Sequence, residues 1–251
     1  MVNEIDLIAF GAHPDDVELG CGGTVARLAG AGSRVAIADL TAGERGTRGD
    51  RATRGREAEN AAAALGVVMR ECLQLPDGGL SPDDPEQVAA VVRAIRRHRP
   101  RAVFAPDRGD PHPDHRAAAD LLGRALFLSG VRNVRPEDGE PWRPRLVLAY
   151  PGPRQLFEPS IVVDVTSVYA RKREAVLAHA SQFDPERGGR THLASGYFTA
   201  AIEGRDRAAG NTVGVEFGEG FRAPGPLAAD ELSWLLGGQG LHPGLRTPER
   251  A

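Results

Sequence analysis

Two segments rich in histidine and aspartate carry the most informative chemistry in this sequence. Residues 13–16 read His-Pro-Asp-Asp, and residues 112–115 read His-Pro-Asp-His. Each follows a short apolar run, at residues 6–12 and 101–105, of the kind that forms a buried strand. Loops at the carboxyl ends of parallel strands converge on one crevice, so we expect the two segments to meet in space. Neutral imidazoles and a carboxylate could hold a metal ion there, and a second carboxylate could act as a base.

The first segment offers two types of ligand across one tight turn. His13 and Asp16 are three residues apart, which is close enough for both side chains to bind the same ion. The alternative is that one of the two aspartates only caps the helix that follows. That interpretation leaves the histidine, the other aspartate and the second segment unexplained.

The second segment offers two histidines and one aspartate. One histidine can complete a site of two imidazoles and one carboxylate, which leaves positions open for water and substrate. The other histidine, oriented at its far nitrogen by Asp114, could act as an acid or as a donor to an oxyanion. A solvated polar loop is the alternative. The same ligand set suits non-haem iron, so it does not decide between zinc and Fe²⁺.

A glycine-rich stretch at residues 20–23 raises the alternative of a phosphate-binding loop. A dinucleotide fingerprint needs its glycines in the turn directly after the strand, whereas residues 13–16 fill that turn here. We therefore interpret the glycines as sites of close packing between helix and sheet, and Cys21 as a small buried thiol. A non-catalytic sugar- or nucleotide-binding module remains the alternative function from a different class.

Strand and helix patterns alternate through the first two thirds of the chain. They predict an α/β fold: a single Rossmann-like domain with a mainly parallel sheet flanked by helices on both faces. Strands are expected at residues 6–12, 34–40, 71–75, 101–105, 146–150 and 161–165. Helices are expected at residues 17–29, 54–65 (with Gly66 as its C-terminal stop), 84–98, 114–128, 167–180 and 194–207.

Composition and charge argue against several classes of function. The 251 residues carry a formal net charge of −3, which provides no electrostatic footprint for nucleic acid or an anionic membrane. No apolar run approaches the length of a membrane span. Because no signal-peptide pattern opens the chain and only two cysteines are present, we expect a cytoplasmic protein. A domain of residues 1–236 is expected to be followed by a poorly ordered tail at residues 237–251.

The two segments and their surroundings resemble the LmbE-like, or GlcNAc-phosphatidylinositol de-N-acetylase (PIG-L), family. The resemblance rests on residues 12–18, on Gly-Gly-Thr at residues 22–24, on the helix at residues 54–58 and on residues 111–115. It implies a metal-dependent deacetylase that acts on a small amino-sugar conjugate of N-acetylglucosamine. The implied cofactor is Zn²⁺, with Fe²⁺ as the alternative.

Further stretches are most similar to the bacillithiol-pathway branch of this family, which acts on N-acetylglucosaminyl malate. They are residues 75–80, 181–183 and 213–221. The chain departs from that branch in the loop at residues 43–53, at Gly78 and in the Pro-rich residues 136–159. A mycothiol precursor, a chitooligosaccharide and an antibiotic glycoside are the alternative substrates. The resemblance also implies a homo-oligomer, such as a hexamer.

The resemblance assigns roles within the two segments. The implied metal ligands are His13, Asp16 and His115. Asp15 would be the general base. His112, held by Asp114, would stabilise the oxyanion or protonate the departing amine.

Three residues outside the segments have implied contacts with substrate. Arg54 would contact the sugar or an acidic aglycone, Asp77 would contact a sugar hydroxyl, and Gln182 would line the pocket. An ordinary surface salt bridge is the alternative for Arg54, and a role in forming a turn is the alternative for Asp77.

Overall fold

The computed structural model describes residues 5–227, and its centre is a sheet of five parallel strands. The strand order is β3-β2-β1-β4-β5, with parallel pairing throughout. The strands are β1 (Leu7–Gly11), β2 (Val35–Thr41), β3 (Met69–Leu75), β4 (Ala102–Pro106) and β5 (Leu146–Tyr150). The alternating pattern in the sequence therefore predicted the architecture correctly.

Helices cover both faces of this sheet, as expected. They are α1 (Asp16–Gly30), α2 (Arg51–Leu65), α3 (Pro85–His98), α4 (Pro113–Ser129), α5 (Tyr169–Ala178), α6 (Ala180–Phe183) and α7 (Phe198–Asn211). Helices α1, α2 and α5 share one core cluster with Leu7 and Ala9 of β1, whereas α3 and α4 share the other with Ile8 and Phe10. Alternate residues of one strand are thus buried on opposite faces, which explains its continuous apolar run.

The direction of strand addition reverses between β1 and β4. From β1 the chain adds β2 and β3 on one side, and it then returns to place β4 on the other side of β1. The loops that follow β1 and β4 consequently leave adjacent strand ends. This switch point is where open α/β sheets bind ligands, and it brings residues 13–16 and 112–115 together as predicted.

Most helix boundaries follow local caps. Helix α2 begins three residues earlier than expected because Asp50 accepts a hydrogen bond from the amide of Thr53 at 2.7 Å. It ends as expected at Gly66, whose φ of 73° is the left-handed conformation that glycine adopts readily. Helix α7 begins at Phe198, four residues later than the sequence pattern indicated.

A two-stranded antiparallel ribbon lies outside the main sheet. It pairs β6 (Ile161–Asp164) with β7 (Gly218–Phe221). The strand expected at residues 161–165 is therefore present, but its partner is a distant segment that the sequence pattern did not reveal. The sequence Gly-Glu-Gly-Phe of β7 has no run of β-branched residues that would have indicated a strand.

The ribbon contributes a cap to α1. The backbone of α1 leaves helical geometry at Cys21, with φ −148° and ψ 20°. Just beyond this kink, the carboxylate of Glu219 accepts hydrogen bonds from the amides of Gly23 at 2.8 Å and Thr24 at 2.6 Å. Lys172 of α5 lies 2.6 Å from the same carboxylate. Glu219 therefore acts as an N-terminal cap for the second half of α1, with Lys172 balancing its charge.

Two glycines of α1 permit the close packing that the sequence indicated. A Cβ atom on Gly20 would lie 2.2 Å from Cδ2 of Tyr150 in β5, and one on Gly23 would lie 2.9 Å from Cβ of Val165. Cys21 between them is fully buried. These contacts favour the packing interpretation of residues 20–23 over a phosphate-binding loop.

Within residues 5–227 no helix combines the length and the apolar character that crossing a membrane requires. The tail expected at residues 237–251, and the domain end expected at residue 236, lie outside the described residues.

Candidate active site

The two histidine- and aspartate-rich segments place three ligand side chains against one another at the switch point. Nδ1 of His13 lies 3.4 Å from Oδ2 of Asp16, and Nε2 of His115 lies 3.1 Å from Oδ1 of Asp16. One ligand atom from each of the three residues lies within 4.8 Å of the other two. Two imidazoles and one carboxylate at this spacing fit a divalent metal ion that keeps positions open for water and substrate.

The second nitrogen of each imidazole faces a carboxylate. Nε2 of His13 lies 3.2 Å from Oδ1 of Asp77 and 3.2 Å from Oδ2 of Asp114. Nδ1 of His115 lies 2.8 Å from Oδ2 of Asp110. Carboxylates in this position fix the tautomer and the ring orientation of metal-binding histidines. They leave His13 Nδ1 and His115 Nε2 as the nitrogens that face Asp16.

The surrounding carboxylates outweigh the effect of burial on the two imidazoles. Burial alone would lower the pKa of His115, but Asp16 and Asp110 raise it to about 10. Burial likewise opposes charge on His13, whose pKa is raised well above its ordinary value by its hydrogen bonds to Asp114 and Asp16. The environment thus favours positive charge at both imidazoles, and a bound divalent cation would supply that charge in place of protons.

The structure corrects the expected partnership between Asp114 and His112. The carboxylate of Asp114 contacts His13 and accepts a hydrogen bond from the amide of Gly78 at 2.8 Å. His112 is instead the N-cap residue of α4, where its Nδ1 accepts a hydrogen bond from the amide of Asp114 at 3.2 Å. His112 takes this orientation because the side chain of an N-cap residue folds back onto the first free amides of its helix.

This cap determines the hydrogen-bonding character of His112. An imidazole that accepts at Nδ1 carries its proton on Nε2 when it is neutral. Burial and the neighbouring imidazoles of His115 and His13 lower the pKa of His112, so the neutral form is favoured. His112 is therefore expected to be neutral and to donate a hydrogen bond from Nε2.

Asp15 is buried beside the ligand cluster of His13, Asp16 and His115, in a constrained backbone conformation. Its φ of 119° is rare for a residue with a side chain, and such conformations cost about 1–3 kcal/mol. Burial raises the pKa of Asp15 to about 6, although the Arg54 guanidinium, whose Nη2 lies 3.7 Å from Oδ1 of Asp15, acts in the opposite direction. A carboxylate with this pKa can exchange a proton near neutral pH.

Arg54 lies at the site and its guanidinium is bound by protein groups. Only 4% of the residue is exposed, and its guanidinium donates to the carbonyl oxygens of Gly43 at 2.9 Å and Pro14 at 2.7 Å. Its place in the first turn of α2 directs the side chain back towards the turn that carries Asp15. These contacts hold the turn and its carboxylate in place, while Arg54 also lines the site cavity.

Asp77 and Gln182 both line the site cavity, a space of about 380 Å³ over the ligand cluster. Their polar atoms also bind protein groups. Besides its contact with His13, Asp77 accepts a hydrogen bond from the amide of Arg45 at 2.7 Å. Gln182 donates to the carbonyl oxygen of Arg48 at 2.6 Å. These contacts hold the loop at residues 43–50 as one wall of the cavity, whose volume suits a small molecule.

Sequence reasoning missed Asp110, which lies two residues before the second segment. It supports His115 and also accepts a hydrogen bond from the amide of His112 at 2.7 Å. The signal that could have found it is its position in the same loop after β4. A carboxylate there is well placed to orient a ligand on the following helix.

Sequence reasoning also missed a buried charge network behind the site. Glu18 contacts Arg70 and lies 3.2 Å from Nε2 of His179, while Arg70 binds Asp39 through two hydrogen bonds of 2.7 and 2.9 Å. Burial would raise the pKa of Glu18, but Arg70 and His179 lower it to about 2. No local pattern marks these residues, since they come from four separate elements or loops.

Comparisons with known proteins identify relatives of this chain. The sequence profile of the family described as GlcNAc-PI de-N-acetylase (PIG-L) matches residues 8–126. The diacetylchitobiose deacetylase of Thermococcus kodakarensis is 33% identical over 181 residues, which cover 68% of this chain and 67% of the relative. This chain belongs to the PIG-L family. A second member, the 1D-myo-inositol 2-acetamido-2-deoxy-alpha-D-glucopyranoside deacetylase of Streptomyces avermitilis, is 30% identical over 243 residues, covering 71% of this chain and 83% of the relative.

A solved structure has a similar fold. A conserved protein from Thermus thermophilus superposes with a TM-score of 0.81 and 40% sequence identity, covering 89% of this chain and 96% of that protein. The PIG-L profile spans β1 to α4, and this span contains the whole ligand cluster and Asp15.

Proposed function

We propose that this PIG-L protein hydrolyses the acetamide of an N-acetylglucosamine conjugate with the help of a divalent metal ion. The observation that carries the proposal is the juxtaposition of His13, Asp16 and His115 with a separate buried carboxylate, Asp15. Three protein ligands and an independent base are what metal-assisted amide hydrolysis requires. We propose Zn²⁺ as the metal, with Fe²⁺ as the alternative, because the ligand set suits both.

The residues of the site divide the proposed reaction between them. When bound, the ion would lower the pKa of water and polarise the acetamide carbonyl. Asp15 would accept the proton of the attacking water and later return it to the departing amine, since its pKa lies near neutrality. His112 would donate a hydrogen bond from Nε2 to the carbonyl oxygen as that atom gains negative charge. Arg54 would keep Asp15 in place.

For the substrate we propose N-acetylglucosaminyl malate, the conjugate deacetylated in bacillithiol biosynthesis. This choice rests on the resemblance of residues 75–80, 181–183 and 213–221 to that branch. The named relatives favour two alternatives, an inositol conjugate of N-acetylglucosamine and diacetylchitobiose. All of these substrates present the same acetamide, so the proposed chemistry does not depend on the aglycone.

An acetate-release assay over these substrates tests the proposal. The enzyme would be stripped with a chelator, reloaded with Zn²⁺ or Fe²⁺, and offered N-acetylglucosaminyl malate, the inositol conjugate, diacetylchitobiose and free N-acetylglucosamine. We expect metal-dependent release of one acetate per sugar, fastest with the malate conjugate. Loss of all turnover in the loaded His115→Ala variant is the expected control. Absence of acetate release from every substrate by the loaded wild type would overturn the proposed function.

A further inference from the structure

Two arginines that line the site cavity have guanidiniums with no partner among the described residues. Arg45 and Arg154 both line the cavity and are both exposed. In the stretch from residue 5 to residue 227, neither guanidinium makes a hydrogen bond or an ion pair. These are the cationic groups of the cavity that the protein itself leaves free, because Arg54 is already bound to two carbonyl oxygens and lies beside Asp15.

The acidic groups of the same cavity are all engaged. Asp15 faces Arg54, while the remaining carboxylates each contact an imidazole of the ligand cluster. Those carboxylates are Asp16, Asp77, Asp110 and Asp114. No carboxylate of the described cavity is thus available to neutralise the two guanidiniums. With a neutral aglycone, the charges of both guanidiniums would be balanced only by solvent and ions.

The backbone that carries Arg45 is held in place although its guanidinium is free. Its amide donates to Asp77 at 2.7 Å, and the neighbouring Glu44 accepts a hydrogen bond from the amide of Asp77 at 3.1 Å. The guanidinium lies over the turn at Gly78, where a Cβ atom would be 3.4 Å from Nη1 of Arg45.

The backbone beside Arg154 is anchored in a comparable way. The next residue, Gln155, accepts a hydrogen bond from the amide of Gly152 at 3.2 Å. Its side-chain amide also donates to Asp107, directly after β4, at 2.5 Å. Both arginines therefore extend from anchored loops, which reduces the entropy lost when a ligand binds them.

We propose that Arg45 and Arg154 together bind an anionic group on the aglycone of the substrate, a carboxylate or a phosphate. The inference rests on the proposed deacetylase function and adds to it the residues that select the substrate. Guanidinium groups form charge-assisted, often bidentate hydrogen bonds with both kinds of anion. Each contact of this kind corresponds to about a tenfold preference or more.

The first test compares substrates that share the N-acetylglucosamine and carry either a neutral or an anionic aglycone. The substrates are methyl N-acetylglucosaminide, N-acetylglucosaminyl malate and N-acetylglucosamine 1-phosphate. The ratio of kcat/KM for an anionic substrate to that for the methyl glycoside should fall about tenfold in Arg45→Gln and in Arg154→Gln, and further in the double variant. Arg132→Gln, which removes an exposed charge remote from the cavity, should leave the ratio unchanged.

The ionic strength and the type of anion provide two further comparisons of the kcat/KM ratio. Raising the ionic strength to about 0.5 M should reduce the wild-type ratio, because both guanidiniums are exposed to solvent. A higher ratio for malate identifies a carboxylate as the preferred group, and a higher ratio for the 1-phosphate identifies a phosphate. Equal kcat/KM for charged and neutral substrates in the wild type, or an unchanged ratio in the double variant, would overturn the inference.

A binding measurement separates this inference from the proposed function. Calorimetric titration of the metal-loaded Asp15→Asn protein with N-acetylglucosamine 1-phosphate, with N-acetylglucosaminyl malate and with the methyl glycoside does not require turnover. We expect at least one anionic sugar to bind about tenfold or more tightly than the methyl glycoside, and this preference to disappear when Arg45→Gln and Arg154→Gln are added. If no sugar releases acetate but the preference persists, the reaction is wrong and the anion site stands. If acetate is released without any preference, the anion site is wrong.

Discussion

Asp110 contacts His115 through one carboxylate oxygen and the amide of His112 through the other, at 2.8 and 2.7 Å. A carboxylate that orients a ligand without binding the metal can be altered while the ligand set stays complete. Asp110→Asn should therefore weaken metal binding by about 10- to 100-fold without abolishing it. Competition with a chromogenic chelator measures the change. Asp120→Asn, which removes a half-buried charge of α4 that pairs with Arg108, is the matched control, and equal affinity in the two variants would contradict the role of Asp110.

The neighbouring carboxylates Asp15 and Asp16 should respond differently to the same substitution. Asp15→Asn keeps the size of the side chain but cannot accept the proton of water. We expect metal content to remain near the wild-type level while kcat falls about 10²-fold or more. Metal analysis and acetate release, measured on the same preparations, distinguish the two roles. Retention of metal by Asp16→Asn together with its loss from Asp15→Asn would show that the two assignments are reversed.

Arg54 should affect catalysis without affecting the choice of aglycone. Because its guanidinium binds the turn before α1 and faces Asp15, Arg54→Gln should lower kcat about tenfold or more for neutral and anionic substrates alike. The comparison is kcat for the methyl glycoside and for the malate conjugate. Arg56→Gln on the exposed side of α2 serves as the control. A loss confined to the malate conjugate would restore Arg54 as an aglycone contact.

The packing of α1 against β5 depends on Gly20. A methyl group there would lie 2.2 Å from Cδ2 of Tyr150, a fully buried ring whose hydroxyl donates to the carbonyl of Phe10. Gly20→Ala should therefore destabilise the protein by about 3 kcal/mol or more. Gly123→Ala in α4 meets open space and should instead stabilise it by about 0.5–1 kcal/mol. Urea unfolding of both variants in one metal state measures the difference, and similar values would contradict the packing argument.

Elements with local signals could be predicted from the sequence, whereas long-range partners could not. The strands β1 and β4 are apolar runs that end in the two segments, so their shared edge followed from the alternating pattern. The ribbon partner β7 lacks such a run, and its pairing depends on contacts far along the chain. The position of the site was therefore predictable. The pairing of β7, and with it the contact between Glu219 and α1, was not.

Side-chain partners within the site were predictable only in part. The proximity of His13, Asp16 and His115 follows from the switch point alone. The direction of the Asp114 carboxylate does not, because it depends on His112 occupying the cap of α4. Small rotations at a helix start decide which of two imidazoles a carboxylate reaches, and no sequence spacing encodes them.

The buried network around Glu18 links the stability of the folded protein to pH. A carboxyl whose pKa falls from 4.5 to about 2 on folding contributes stability above pH 4.5, and this contribution is lost as the pH falls towards 2. At a pH above 4.5, this carboxyl contributes about 3 kcal/mol to the free energy of unfolding. Glu18→Gln should therefore make the free energy of unfolding less dependent on pH between about pH 5 and about pH 3. Urea titrations of the chelated protein test this, with exposed Glu59→Gln as the control. An unchanged slope in Glu18→Gln would argue against the network.

The hydrogen bonds between Glu219 and α1 also have a consequence for biosynthesis. The two partners are 195 residues apart, so a ribosome working at about 5–20 residues per second delivers Glu219 about 10–40 seconds after Thr24. During that interval the nascent helix lacks the carboxylate that caps its second half. The turn that carries His13 leads directly into this same helix, whose first residue is Asp16. Loading of the metal is consequently expected to follow translation of nearly the entire chain, rather than to accompany the emergence of the first ligands.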